Sequence, residues 1–201
     1  KSEPTIVISD DTIQHVVNAA VNTLFNCAQE TLVDGMARER QQYSGDGSHQ
    51  LHAVIQTLGD ITLPYRFVNT FSQGLSIDGY FMDSWPAWDR LARTVERQMH
   101  LTGWGPILDH SIGFCFDAFH YYMYTGDLQG LKEVYPRLLS FFSYLYKLTD
   151  KSEHLVPVEN LGMCSVYIDH EAYKQTKHKQ LALNLYIVAM CRNALSTLCQ
   201  A

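Results

Sequence analysis

PILDHSIGFCFDAFHYYMYTGDLQGLKEVYPRLLSFFSYLY, residues 106–146, reads as two helices folded back on each other by a tight turn. Pro106 suits a first helical turn, where its missing N–H costs nothing. Phe116, Phe119 and Met123 then lead to Gly126, a residue type that ends helices by accepting a left-handed backbone. Asp127 stands where the next helix needs a cap. Leu131, Val134, Tyr135, Leu138, Leu139, Phe142 and Tyr146 recur at helical spacing behind it. The unit is a helical hairpin.

The same period extends outward in both directions. Ile13, Val16, Val17, Ala20, Val21, Leu24 and Phe25 predict one buried helix face, with Ser9, Asp10 and Asp11 as N-cap candidates. A polar, Gly-containing segment, Gln29 to Ser48, shows no apolar period and reads as a loop. Leu51, Val54, Ile55 and Leu58 predict a second helix stopped by Gly59 and Pro64, and Tyr65 to Phe71 a short third one. Gly74 to Pro86 reads as another loop, followed by a helix carrying Trp88, Leu91, Ala92, Val95 and Met99. Beyond the quoted hairpin come a loop, Thr149 to Glu171, and a last helix with Leu181, Leu183, Leu185, Ile187, Val188 and Met190. Short turns alternate with long polar loops, and no fixed repeat of about 34 residues appears. The expected fold is all-α, a toroid of helical hairpins. The β-branched stretch Thr5 to Ile8 reads as a linker or the last strand of a preceding β domain, which divides the chain into residues 1–9 and 10–201.

Composition narrows the function. The 201 residues are 46% hydrophobic, 18% charged and 12% aromatic, enough apolar content for a sizeable core. The net charge of −6 leaves no basic footprint for nucleic acid and favours no anionic membrane. The longest uncharged apolar stretch, Ile187 to Cys191, is too short to span a bilayer. Five Cys without a C-x-x-C pair exclude a structural zinc ribbon and read as buried free thiols. His49 and His52 lack a third ligand, so no metal and no cofactor are expected. Residue 1 is Lys, as in a piece of a longer chain, and the compartment stays open between cytoplasm, periplasm and secretion.

The chemistry concentrates after the first helix. Asp34, Arg38, Glu39, Arg40 and Asp46 lie within thirteen residues, alongside Tyr43, Gly45 and Gly47. Glycosidic cleavage requires a carboxylic acid to protonate the leaving oxygen and carboxylates to orient sugar hydroxyls. A solvated charge cluster is the plain alternative. Asp78 and Asp83 flank Tyr80, Phe81, Trp85 and Trp88, a mixture suited to a sugar platform, and Trp104 between two glycines is similarly poised. Asp169 and His170 could reach a pocket from the third long loop.

The pattern D-x-x-x-R-E-R-x-x-[YW]-x-G-D, from Asp34 to Asp46, resembles the signature of glycoside hydrolase family 78, the bacterial α-L-rhamnosidases. Asp78 to Pro86, Asp109 to Phe114, Tyr121 to Asp127, Tyr167 to His170 and Ala182 to Tyr186 are similar to later segments of that family, in the same order. The resemblance covers roughly residues 10 to 195 and implies about half of an (α/α)6 barrel. By position it makes Glu39 the general acid, and Asp34, Arg38 and Asp46 residues of the sugar pocket. Tyr43 stands where the family usually has Trp, and Gly35-Met36 where it commonly has Cys-Pro.

Family enzymes invert, so the resemblance also implies a base on a later hairpin, outside this chain. Glu159 and Glu171 are weak nominees for it. The implied function is removal of terminal α-L-rhamnosyl residues from glycosides or polysaccharides. Implied partners are the carbohydrate, the rest of the barrel and flanking β-sandwich modules, and the chain alone should be inactive. Two other readings remain: a six-hairpin glycosidase for another sugar, and a non-catalytic helical carbohydrate-binding or interaction module. Arg38 and Arg40 beside Glu39 would lower its pKa, and the expected resolution is that both guanidiniums pair with Asp34 and Asp46, leaving Glu39 to face a drier pocket.

Overall fold

A computed structural model describes residues 6–37, 39–86, 107–159, 166–168 and 176–201. Its helices are α1 (Asp11–Cys27), α2 (Ser44–Leu58), α3 (Thr62–Ser72), α4 (Leu108–Thr125), α5 (Tyr135–Leu148), α6 (Thr176–Ala189) and α7 (Ser196–Gln200). A 3-10 turn, Gln129–Leu131, precedes α5, and a π-helical stretch, Met190–Leu195, joins α6 to α7. The described residues hold isolated β-bridges and no strand. The helix proposed over Trp88 to Met99 lies outside the described residues, as do Trp104 and Arg38. Ile6 to Ile8 is irregular, with the Ile8 N–H donating to Gln14 Oε1.

Helix α4 is the hub, packing on α2, α3, α6 and the π segment, while α3 also packs on α2. Gly45–His110, Ser48–Asp117 and His52–Tyr124 meet in order along α2 and α4. Gly113–Tyr186 and then Cys115–Cys191 do so along α4 and the run of α6 into the π segment. The three helices therefore point the same way, with one cavity near the starts of α2 and α4. Alternate helices α3 and α5 return the chain between them. This is the arrangement of a hairpin toroid, all-α as the sequence indicates.

The core is aromatic. Phe67, Phe71, Phe81, Phe114 and Phe141 are all but closed to solvent. Ring centroids lie 4.7 Å apart for Phe71–Phe114, 5.0 Å for Phe81–Phe114 and 5.6 Å for Phe81–Phe141. Such pairs contribute about 0.5–1.5 kcal/mol beyond their buried area. Phe81 and Tyr80 are therefore core residues, which corrects their reading as an open sugar platform.

Several expected elements shift. Helix α2 begins at Ser44, so Gly45, Asp46 and Gly47 form its first turn instead of a loop. Pro64 sits in the first turn of α3, whose Thr62 and Leu63 N–H groups are capped by Asp60 Oδ1. Asp127 caps the 3-10 turn through Gly130 N–H, and α5 starts only at Tyr135. Leu138, Phe141 and Leu145 form the buried face of α5, while Leu139, Phe142 and Tyr146 are exposed. On α1 the last turns supply the buried residues Val21, Leu24 and Cys27, whereas Ile13 and Val16 are open. Cys199 is exposed, unlike the buried Cys27 and Cys115.

The run His178–Gln200, with a mean hydropathy of 1.3, is long and apolar enough by length and composition to cross a bilayer. The sequence reading missed this by counting uncharged stretches, which Arg192 interrupts. Leu183, Met190, Ala194, Leu195 and Leu198 on this run are buried in the protein.

Candidate functional site

The segment between α1 and α2 is built as a clasp. The Asp34 N–H donates to the Gln41 carbonyl at 2.9 Å, and the Gln41 N–H returns to Asp34 Oδ1 at 2.8 Å. These two bonds close the loop carrying Glu39, which is half-buried. Arg40 occupies the left-handed region at φ 52, and its Nε donates to the Met36 carbonyl at 2.6 Å. Its guanidinium thus serves the loop backbone, not the pairing with Asp34 or Asp46 expected from sequence.

A second set of bonds stitches this segment to the loop after α3. Tyr43 bridges Ser84, Ser84 Oγ donates to Gln41 Oε1 at 2.7 Å, and Gln42 Nε2 donates to the Trp85 carbonyl at 2.7 Å. Residues 43 and 83–85, forty positions apart, therefore stand side by side. Tyr43 is 7% exposed and Asp83 only 3%, with Asp83 Oδ1 accepting the Ser84 N–H. Trp85 is half-buried, its Cβ set against Gly74.

Beside this assembly lies an open cavity of about 650 Å³, lined by Asp46, Ser48 and His49 from α2 and Asp109 and His110 from α4, among others. Helix N-termini favour negative charge. Asp46 nevertheless has a raised pKa, first from burial of its carboxyl and second from the nearby Asp34 charge. Its residue surface is open, and it lines the cavity. Glu39 is not among the cavity's lining residues.

Asp109 supports the opposite wall. Its Oδ1 accepts the Tyr167 N–H at 2.7 Å and its Oδ2 the Ile168 N–H at 2.6 Å. Ile168, which lines the cavity, is held at φ 48, a region a β-branched residue rarely adopts. Asp169, His170 and Glu171 lie outside the described residues, and Glu159 is exposed.

The structure thus brings Asp34, Tyr43, Asp46, Asp83 and Trp85 toward one region, with Glu39 on the loop clasped by Asp34. Sequence reasoning missed Ser48, His110, Asp109 as a clamp, and Tyr186. Their signal was the one-ended clustering of helix starts, visible only once the helices are known to run parallel. Among the described residues no group of three His, Cys, Asp or Glu is placed to hold a metal ion.

A solved rhamnosidase from Klebsiella oxytoca with rhamnose bound superposes with a TM-score of 0.75 at 23% identity. The match covers 96% of this chain and 35% of that one, so the chain spans about a third of the length of its structural relative. At that identity the likeness shows the fold. No curated protein matches the chain. The profile of the bacterial α-L-rhamnosidase six-hairpin glycosidase domain matches residues 2–197. By that match over nearly its whole length, the chain belongs to the family of bacterial α-L-rhamnosidase six-hairpin glycosidase domains.

Proposed function

We propose that this chain is the N-terminal part of the catalytic barrel of an inverting glycoside hydrolase that removes terminal α-L-rhamnosyl residues. Glu39 protonates the leaving oxygen, and a carboxylate outside this chain, about 6.5–9.5 Å from that of Glu39, activates the water between them. The observation that supports this best is the Asp34–Gln41 clasp, which closes the loop carrying Glu39, together with Asp46, which feels the Asp34 charge and lines the cavity. Asp34, Asp46, Arg38, Trp85 and Trp104 contact the sugar in this reading. Tyr43 and Asp83, nearly closed off, form the wall behind it.

Hydrolysis of an aryl α-L-rhamnoside by the full-length protein, beside its Glu39→Gln variant, tests the assignment. Loss of general acid catalysis should lower kcat by about 10²–10⁴-fold. Activity that survives in the variant removes Glu39 from the role. A second reading gives the acid role to Asp46, because it lines the cavity and its pKa is raised. Asp46→Asn decides this. As a sugar-binding residue, its loss raises KM more than it lowers kcat, and the reverse pattern makes it the acid.

A further inference from the structure

Asp117, in the third turn of α4, is closed to solvent, and nothing in the sequence marks it out. Its Oδ1 lies 2.6 Å from Ser48 Oγ, across the α2–α4 interface. Among the described residues its Oδ2 has no hydrogen-bond partner. The titratable groups around it are Tyr186 from α6 and Cys115 on its own helix, with Cys191 of the π segment beyond Cys115. None is a cation. A carboxylate with a bare buried oxygen and no counter-charge is strongly disfavoured, so the neutral acid is the stable form. Burial pushes its pKa up to about 8, against the opposing pull of the Ser48 bond.

The protonation state decides which way Ser48 faces. Beside an ionised Asp117, an acceptor without a proton, the Ser48 hydroxyl would have to donate inward. A neutral Asp117 carries its own proton and can donate it to Ser48 Oγ. Ser48 lines the cavity two residues from Asp46 and next to His49, so its hydroxyl hydrogen is then free to point outward.

We propose that Asp117 is a positioning residue that, by donating its carboxyl proton to Ser48, keeps the Ser48 hydroxyl as a hydrogen-bond donor to a substrate hydroxyl oxygen in the cavity. The assignment rests on the glycosidase reading above and adds to it a contact that selects the sugar. Asp46, His49 and His110 line the same cavity, so the test compares variants at each pH.

Rhamnoside hydrolysis by the full-length protein is measured from pH 6.5 to 9.5 for wild type, Ser48→Ala, Asp117→Ala and Asp117→Asn. Ser48→Ala should raise KM about fivefold, with kcat little changed. Wild-type KM should rise by a similar factor as the pH climbs through about 8, when Asp117 ionises and captures the Ser48 hydroxyl. Asp117→Asn, whose amide N–H can donate to Ser48 as the neutral acid does, should rescue the KM lost in Asp117→Ala and remove the alkaline rise.

Thermal unfolding supplies a readout free of substrate. The folded pKa of Asp117 lies above its ordinary 3.8, so its contribution is complete in acid and is lost as the pH rises through the folded value. Asp117→Asn should therefore gain in Tm relative to wild type between about pH 4 and 8. The proposal is overturned if Asp117→Asn fails to rescue KM, if wild-type KM is flat with pH, or if that relative gain in Tm is absent. A wild type inert on every aryl glycoside tried ends the glycosidase reading and this assignment together. An active wild type with the wrong KM pattern ends only this one.

Discussion

Gly47 stands where two tendencies oppose each other. In a helix interior Ala is better than Gly by about 1 kcal/mol, so Gly47→Ala should stabilise α2 on propensity alone. A Cβ there, however, would lie 2.4 Å from the Phe67 ring, which is fully buried and cannot swing away. Overpacking of this kind costs about 1–3 kcal/mol, so packing outweighs propensity. Gly47→Ala should lower Tm, and trimming the ring in a Gly47→Ala/Phe67→Leu double variant should recover part of the loss. Gly45 meets the His110 imidazole in the same way, at 2.7 Å. This explains why Gly45-Asp46-Gly47 reads as a loop in the sequence yet opens a helix. The glycines are there for close approach to α4 and α3, a contact no local pattern records. What was legible was the cluster of Asp34, Glu39 and Asp46 itself, while the roles proposed for them come from the resemblance to the rhamnosidase family. What was not legible was burial, which closes off Tyr43 and Asp83 and turns Arg40 toward its own loop.

The turn from α4 to α5 was the most legible element, because its signals are local. Gly126 takes the left-handed conformation at φ 67, Tyr121 Oη donates to Asp127 Oδ2 at 2.7 Å, and Gly130 N–H donates to Asp127 Oδ1 at 2.9 Å. The Tyr121 bond first, then the Gly130 N–H, hold the Asp127 pKa below its ordinary 3.8. A depressed carboxylate pKa stabilises the fold above about pH 4, and the contribution is lost as pH falls through the folded value. Asp127→Ala should cost about 1 kcal/mol at neutral pH, and its deficit against wild type should shrink in acid denaturation scans. The face of α5 was misread because apolar residues surround that helix, so period alone cannot choose between Leu138 and Leu139. Packing on one side only makes the choice. The Asp109 clamp is the opposite case, formed between positions 58 and 59 residues apart. Asp109→Asn keeps one acceptor and sets an amide N–H against the other backbone donor. Hydrogen exchange at Tyr167 and Ile168 should therefore speed up by about tenfold or more, while the amides of α4 stay protected.

At the scale of the molecule, the parallel helices α2, α4 and α6 form an arc with a cavity at one end. Leu181, Leu185 and Val188 leave an apolar stripe on α6 that is 62%, 61% and 46% exposed. Scattered exposed apolar residues are ordinary, but three at helical spacing on the last helix of an open arc mark a face made to be covered. The structural relative extends well beyond the matched region, with only 35% of its length matched here, and in the proposed reading further hairpins close the barrel next to α6. In the full-length protein, Leu181→Ser and Leu185→Ser should each lower stability by about 2–4 kcal/mol, as for buried leucines. Ile77→Ser, at an exposed loop position, should shift it by less than about 0.5 kcal/mol. If the leucine variants behave like Ile77→Ser, the stripe is not covered by the barrel. On the proposed reading, this chain expressed alone should hydrolyse no rhamnoside even when folded, because an acid without an opposed base leaves water unactivated. Turnover by the isolated chain, lost on Glu39→Gln, would place the base within residues 1–201 and return Glu159 and Glu171 to consideration.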